Sequence, residues 1–531
     1  MAKTSKPRPP PSGLVFPPGP KGDRGSTWGN KETIAAAFEP LDPKVAQAVR
    51  NERNWRQNYV PYIQKLVELG LASKEKALAS AQAGMDWAYN NFEFIRDGQT
   101  MSLKQAMDLK GTFGTGHLKG EKPKVNTREL EINHKGKVLR GAAIIAQVQA
   151  WARYGTIEPS CRDAILRVLE NQNEWLDLSD RYFVLLGAGS AMGPYPLLMA
   201  LGANVIAVDL DREAVWARLM AVARDSPGTL TFPLKLDMPA GTIEADYAKY
   251  AGCNLFTQTP EIANWLCEVH RREKLVVGSY AYLDGALHVQ VSLAMDAIVS
   301  KLVAKRGPHN VALAYLCTPT DCHVIGADAN EAAQKNYSSL GLTNLLIKLS
   351  PFFWTGALAK NALRPVTAED GTVFHLVDGV VGRQGPNYIL AKRLQHWRAM
   401  LSHAQGCVVS SNVAPSTSTV SVTKNKLFAL AYQGMHYFRP FEVATPALSN
   451  SAMTALLVHD LRNAMAPANG AGGVPLRNPL ELFTHGSFHG GVWRCAYKIE
   501  SVGTPAAVFY LLMRPILWLT VAVMALAVIY S

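Results

Sequence analysis

Cysteine is scarce in this chain and unpatterned. Seven occur among 531 residues, and no two stand as a C-x-x-C pair. An odd, scattered count excludes a disulfide framework and a thiolate zinc site, and it points to a reducing compartment. A long lysine or arginine run is also missing, although the formal net charge is +12. With no such run, no zinc knuckle and no RNA-binding aromatic signature, nucleic acid is not an expected partner. The charge reads as a solvated face leaning on lipid headgroups. No N-terminal apolar core marks a signal peptide, and no internal repeat is visible. Apolar residues make up 48% of the chain, so it is globular, and it is too long for one small domain.

What stands out is the stretch 181–211. Tyr182 to Leu186 is an apolar run with the character of a buried parallel strand, and it enters a turn with Gly187, Gly189 and Gly193. A helical segment follows, then a second apolar strand, Asn204 to Val208, closed by Asp209. This is a βαβ unit with a dinucleotide-binding fingerprint. Glycines let the backbone approach a pyrophosphate at the helix N-terminus, and an acid ending the second strand accepts the hydroxyls of an adenosine ribose. S-adenosylmethionine-dependent methyltransferases share the outline, but they usually carry an acid just before the glycine turn. Here Leu185 and Leu186 stand there.

The alternation of strands and helices continues over 181–430. Leu230 to Leu236 reads as a third strand ending at Asp237, Lys274 to Ser279 as a fourth, and Asn310 to Cys317 as a fifth ending at Thr318-Pro-Thr320-Asp321. Further on, Gly385-Pro-Asn-Tyr388-Ile-Leu-Ala-Lys392 contains Tyr-x-x-x-Lys. On a helix that spacing puts both side chains on one face. A phenol titrates near pH 10 and needs help to move protons at neutral pH; a neighbouring ammonium favours the phenolate. The run Gly406 to Val413 then reads as a strand ending at Asn412-Val-Ala-Pro415-Ser416.

Residues 180–425 resemble the short-chain dehydrogenase/reductases, a divergent member by these motifs. Gly187-Ala-Gly-Ser-Ala-Met-Gly193 is similar to that family's G-x-x-x-G-x-G turn, with Ala191 replacing the middle glycine. The resemblance implies an α/β fold with a doubly wound parallel sheet (Rossmann-like), to which the chain adds a helical N-terminal region and a C-terminal membrane segment. It implies that Gly187, Gly189, Ser190, Met192, Gly193, Asp209, Asp237, Gly278, Lys392 and Pro415 bind the cofactor, NAD or NADP. NAD is favoured because Asp209 repels a 2′-phosphate, although Arg212 lies nearby. It further implies that Tyr388 is the catalytic acid/base, that Lys392 lowers its pKa and holds the nicotinamide ribose, and that Thr318 or Thr320 polarises the substrate carbonyl where the family uses a serine. Ser416 replaces the glycine of the family's Pro-Gly, and residues 322–386 form an insertion, read as a lid or membrane-facing cap.

Five regions follow: a Pro/Gly/Lys-rich disordered arm (1–31), a mainly helical region (32–180) with a loop at Gly111 to Val125, the nucleotide-binding domain (181–430), a loop-rich extension (431–503) and a membrane anchor (504–531). Val508 to Tyr530 is apolar except for Arg514 and Thr520. The part after Pro515 rises about 22 Å as a helix, short of the roughly 30 Å hydrocarbon core, so it spans only with the residues before it. The competing reading is a buried C-terminal helix. His485 and His489 have the spacing of metal ligands, but the glycines around them argue against a helix, and no metal is expected. His270 and His288 show no partner, and Cys317 and Cys322 read as small apolar residues. The expected protein is a membrane-attached, cytosol-facing NAD(P)-dependent oxidoreductase on an endoplasmic reticulum or other organelle membrane, acting on a carbonyl or alcohol of a hydrophobic substrate. The alternatives are a non-catalytic nucleotide-binding scaffold and a methyltransferase.

Overall fold

The structure is a computed structural model, and it describes residues 12–123, 128–339 and 341–513. The chain is mixed α/β. Its centre is a seven-stranded sheet made of β1 (Gly114–Lys119), β2 (Tyr182–Leu186), β3 (Asn204–Val208), β4 (Thr229–Leu234), β5 (Leu275–Ser279), β6 (Val311–Tyr315) and β7 (Val409–Ser410). The order across the sheet is β7-β6-β5-β2-β3-β4-β1. All pairings are parallel except β1 with β4. Counted along the chain, the six parallel strands therefore lie in the order 6-5-4-1-2-3, with β2 and β5 neighbours where the winding reverses. That is the order of a doubly wound sheet, whose switch-point crevice opens at the C-terminal strand ends.

Side chains alternate across this sheet with period two. Val184, Leu186, Ile206, Val277 and Leu313 enter one core, with the helices Ala286–Arg306 and Pro386–Ala404. Phe183, Leu185, Val205, Ala207 and Val276 enter the other, with Ala142–Tyr154, Glu213–Arg224 and Pro446–Arg462. Both faces are dry, as a parallel sheet requires.

Several expectations from sequence need correction. The N-terminal arm is ordered from residue 12: Gly13–Val15 is a strand and Ser26–Phe38 a helix. Gly13 has φ +72°, and a Cβ there would lie 2.3 Å from the Phe256 carbonyl oxygen, so its glycine is a packing requirement. Residues 1–11 lie outside the described residues. The expected loop at Gly111 to Val125 contains β1. Gly116 reads as a loop residue, yet its missing side chain makes room for the Phe232 ring on the neighbouring strand. The extension 431–503 contains the 17-residue helix Pro446–Arg462, capped by Thr445 onto the Leu448 amide. The insertion 322–386 is not simply a lid. It carries a three-stranded antiparallel sheet, Cys322–Ile325 with Val373–Asp378 and Val366–Thr367, and Val324, Leu376 and Val377 belong to the first core.

The tail is also partly body. Ile499–Met513 is a helix, with Val502 and Ala506 fully buried, so the anchor boundary at 504 falls inside a packed element. Residues 514–531, with Arg514, Pro515 and Thr520, lie outside the described residues. Among the described residues, the helix long and apolar enough to cross a membrane is Ala286–Arg306, which is largely buried and is a core helix here.

The N-terminal helical region packs on the helix that carries Tyr388. A Cβ on Gly84, in the helix Lys74–Asn91, would lie 2.6 Å from the buried Trp397 ring. Gly84→Ala gains up to about 1 kcal/mol of helix propensity against about 1–3 kcal/mol of overpacking, so its net cost is small. Gly84→Leu has no such offset and is expected to lower the thermal midpoint clearly, as measured by calorimetry. An unchanged midpoint would show that the two helices do not meet.

Candidate functional site

The glycine turn leaves β2 with Gly187 at φ +90°. A Cβ there would sit 2.6 Å from the Ala281 backbone, so β2 and the segment after β5 close tightly at the switch point. Asp209 ends β3 and braces the turn: Oδ2 accepts the Gly189 amide at 2.6 Å and Oδ1 the Leu210 amide at 2.8 Å. A carboxylate has about four acceptor sites, so capacity remains for ribose hydroxyls. Ser190 and Met192 are partly exposed, and Ala191 is exposed. Gly193 is buried, its carbonyl held by the Asn450 amide from the helix Pro446–Arg462. The helix after the turn, Tyr195–Ala200, has only six residues. It offers a weaker dipole than the full helix the fingerprint implied.

Arg218 adds a charge that the sequence did not single out. Its guanidinium donates to the Gly189 carbonyl at 3.3 Å. Both Arg212 and Arg218 are exposed, and it is Arg218 that touches the turn. Asp237 is exposed just beyond β4 on the same edge of the sheet. Two implied contacts are not open. Gly278 lies inside β5 with the Tyr280 ring packed on it. Pro415 is buried against Gly490.

The residues implied for catalysis do assemble. Thr318 and Thr320 follow β6, with their hydroxyls 2.7 Å apart. Tyr388 and Lys392 lie in the first turns of Pro386–Ala404. Burial raises the Tyr388 pKa, and hydrogen bonding from the Thr318 and Thr320 hydroxyls partly offsets this. The phenol is therefore held protonated, contrary to the expectation that Lys392 lowers its pKa. The reason is geometric: the ammonium donates to the Leu316 carbonyl and the Gln395 side chain, each at 3.2 Å. Burial lowers the Lys392 pKa as well, against the pull of Cys317 and Asp321.

His288, which shows no partner in the sequence, lies against Tyr388 in the fold. It is 2% exposed, and neither ring nitrogen has a hydrogen-bond partner. Its ring stacks on Tyr388 at 5.7 Å and meets Tyr282 at 4.6 Å. Burial, then the Lys392 cation, push its pKa down to about 3, so the imidazole is neutral. Ser279, ending β5, also has a buried hydroxyl with no partner. Orphaned buried polar atoms such as these call for a partner, whether water, an ion or a ligand. A helical N-terminus at Ala286 and a histidine two residues on were the available signals, but only the fold brings Tyr282 and Tyr388 to either side.

Behind Thr318 sits a buried ion pair. Asp321 is fully buried and pairs with Arg393, with the His396 ring 3.7 Å away. His323 hydrogen-bonds the Thr318 carbonyl at 2.8 Å. This cluster fixes the turn that presents both threonines. Cys317 and Cys322 are buried, and burial pushes the Cys317 thiol up to about 12, so neither is a nucleophile. His270 lies near the other end of β2, stacked on Tyr182 and bonded to Thr231.

No group of three or more histidine, cysteine or carboxylate side chains among the described residues could hold a metal. His489 is instead structural. Its Nε2 donates to Glu158 at 2.7 Å, and its Nδ1 accepts the Gly491 amide. Arg494 donates to both Glu158 oxygens and also reaches Asp328.

No family model matches the chain, and no curated protein or solved structure matches it.

Burial would raise the Glu158 pKa, but His489 and Arg494 overcome it and hold it down at about 2. A depressed carboxylate stabilises the fold above its unfolded pKa, near 4.3, and that stability is lost as pH falls toward about 2. The buried neutral His489, whose pKa is also lowered, acts in the same direction. Glu158→Gln removes one of the two carboxylates that hold Arg494 and leaves Asp328, so it should cost up to about 3 kcal/mol at neutral pH. The expected result in urea titrations is a lower midpoint at pH 7 and a shallower loss of stability below pH 5. Equal pH slopes in both proteins would remove Glu158 from this role.

Proposed function

We propose that the protein is a membrane-attached, NAD(P)-dependent oxidoreductase acting on a carbonyl or alcohol of a hydrophobic substrate. One observation carries this reading: Thr318, Thr320 and Tyr388 come together at the C-terminal end of β6, with Lys392 one helical turn on and the glycine turn at the neighbouring switch point. The strand order is that of dinucleotide-binding sheets, which favours this reading over a methyltransferase.

A nicotinamide cofactor would supply the hydride. Gly187, Gly189 and Asp209 would hold its adenosine half. Arg218 beside Asp209 weakens the preference for NAD over NADP, because an arginine there pairs with a 2′-phosphate. Ser279 and His288 offer unpaired polar atoms toward its other half. The protein's own part is proton transfer. The protonated Tyr388 phenol gives its proton to the substrate oxygen in the reductive direction, with Thr318 or Thr320 orienting that oxygen. Neutral His288 stacks on the phenol and fixes its plane.

A nucleotide-binding scaffold without turnover is the second reading. The Tyr280 ring over Gly278 and the close approach of Gly187 to Ala281 favour it, since both narrow the crevice. Tyr388→Phe keeps the ring and deletes the hydroxyl. It should cut turnover by about 10²-fold or more with NAD(H) affinity, followed by fluorescence, nearly unchanged. NAD(H) binding with no turnover of aliphatic or aromatic aldehydes by the unmodified protein would favour the scaffold. Absence of any nicotinamide binding would sink both.

Membrane attachment has a surface to support it. Leu345, Leu346, Leu349 and Trp354 are 41%, 40%, 63% and 76% exposed on one segment of the insertion, and Leu511 and Leu512 are exposed on the last described helix. A chain of aromatic contacts, Phe353–Tyr337–Tyr497–Phe438–Phe509, joins the two. Lys348 and Lys360 lie over Tyr337, so cations flank the patch. Exposed large apolar side chains clustered on one segment mark a contact site. Leu349→Asp with Trp354→Asp should weaken co-sedimentation with vesicles containing anionic lipid, whereas removal of 514–531 should weaken it further. Equal sedimentation of all three chains would show that neither segment meets the bilayer.

A further inference from the structure

A groove of about 910 Å³ opens between the helix Ala142–Tyr154 and the segment 432–443. One wall is the helix face bearing Gln147, Trp151 and Tyr154; the other holds Tyr432, Phe441 and Glu442. Its volume and mixed lining are those of a small-molecule site.

The groove adjoins the catalytic residues in two ways. Tyr432 is within electrostatic reach of Tyr388, and Ser416 hydrogen-bonds its phenol. The Phe441–Val443 wall also continues directly into the turn beyond β7: the Ala444 amide donates to the Ser416 carbonyl at 2.8 Å, and the Ser418 amide donates to the Ala444 carbonyl at 2.9 Å. The Tyr432 side of the groove is therefore aromatic, and its wall is joined through the backbone to the turn beyond β7.

The mouth is cationic. Lys135 projects from the hairpin Ile132–His134/Lys137–Leu139 with its side chain 77% exposed. Arg153 is exposed and, among the described residues, makes no ion pair or side-chain hydrogen bond. His436 lies across from them. Among the described residues, Glu442 is the only carboxylate lining the groove. Its one ionic contact is Lys135 at 3.9 Å, and burial raises its pKa, which weakens its hold on a cation.

We propose that this groove binds an amphiphile, with an apolar or aromatic body along Trp151 and Tyr432 and an anionic head on Lys135 and Arg153. Its role as the substrate groove rests on the reaction proposed above; the binding itself does not. The substrate class is then a carbonyl or alcohol carried by an apolar chain that ends in a carboxylate or phosphate.

Titration calorimetry on the full chain tests this with three probes of one shape: phenylbutyrate, phenylbutylamine and phenylbutyl phosphate. Phenylbutyrate should bind at least about tenfold tighter than the amine, and phenylbutyl phosphate should bind at least as tightly as the carboxylate. Arg153→Glu, at an exposed position without partners, should keep the fold and weaken phenylbutyrate by about tenfold, a loss of about 1.4 kcal/mol. Amine binding as tight as the acid, or an unmoved Arg153→Glu, would overturn the proposal. NAD(H) is titrated into the same preparation. Phenylbutyrate binding without NAD(H) binding would leave the groove and remove the reaction, whereas NAD(H) binding without phenylbutyrate would remove the groove alone.

Discussion

A parallel sheet has no wet face, and the rest of this protein follows from that constraint. The six parallel strands bury alternate residues in two separate cores. Covering both faces takes more helix than the crossover connections alone supply. On one side the N-terminal helices close over Pro386–Ala404, with Gly84 against Trp397. On the other, Pro446–Arg462 reaches back from late in the chain. Segments from early and late in the chain thus complete the cover of the central sheet. Glu158 locks the arrangement by holding His489 and Arg494, and through Arg494 it reaches Asp328 in the insertion.

This wrapping decides what the site is made of. Thr318 and Thr320 leave β6 into a turn set by Asp321 and Arg393, and the insertion then carries the chain away and back before Tyr388 arrives. The insertion is long, yet its sheet starts from that same turn, with Cys322–Ile325 pairing to Val373–Asp378. It brings the helix Pro386–Ala404 back to where the threonines stand. A long excursion between two functional segments is tolerable because loop closure costs grow only slowly with length.

Much of the central sheet was legible because buried strands announce themselves as short apolar runs bounded by turns. β2, β3 and β5 appear at the expected runs, and Tyr388 and Lys392 fall on a helix face as their spacing implied. What escaped was set by partners distant in sequence. Gly116 looks like a loop residue until Phe232 lies across it. Pro446–Arg462 carries serines, a threonine and an asparagine among its apolar residues, which blurs any stripe, although Thr445-Pro446 was a readable start signal. Lys392 was given the role of tuning the phenol because spacing fixes a shared face but not where a long side chain points. The Leu316 carbonyl and Gln395 decide that. His288 escaped for the same reason, since its neighbours Tyr282 and Tyr388 are brought together only by the sheet.

Desolvation then governs the chemistry more than any single charge. Burial keeps the Tyr388 proton on, keeps His288 neutral at a pKa of about 3, and works against the charge on Lys392. A site of this kind holds one transferable proton, on the phenol, beside two hydroxyls able to pass it or to orient its acceptor. Under the proposed reaction that state suits reduction, in which the phenol begins as an acid. Oxidation would start from the ionised phenol, which burial disfavours. Entry of an anionic amphiphile would bring a charge to the mouth of the groove and not to its floor, where Tyr432 meets Ser416. The cationic rim and the aromatic interior are therefore complementary. The rim recognises charge in water, where pairing costs little, and the interior receives only the part of the ligand that is willing to leave water.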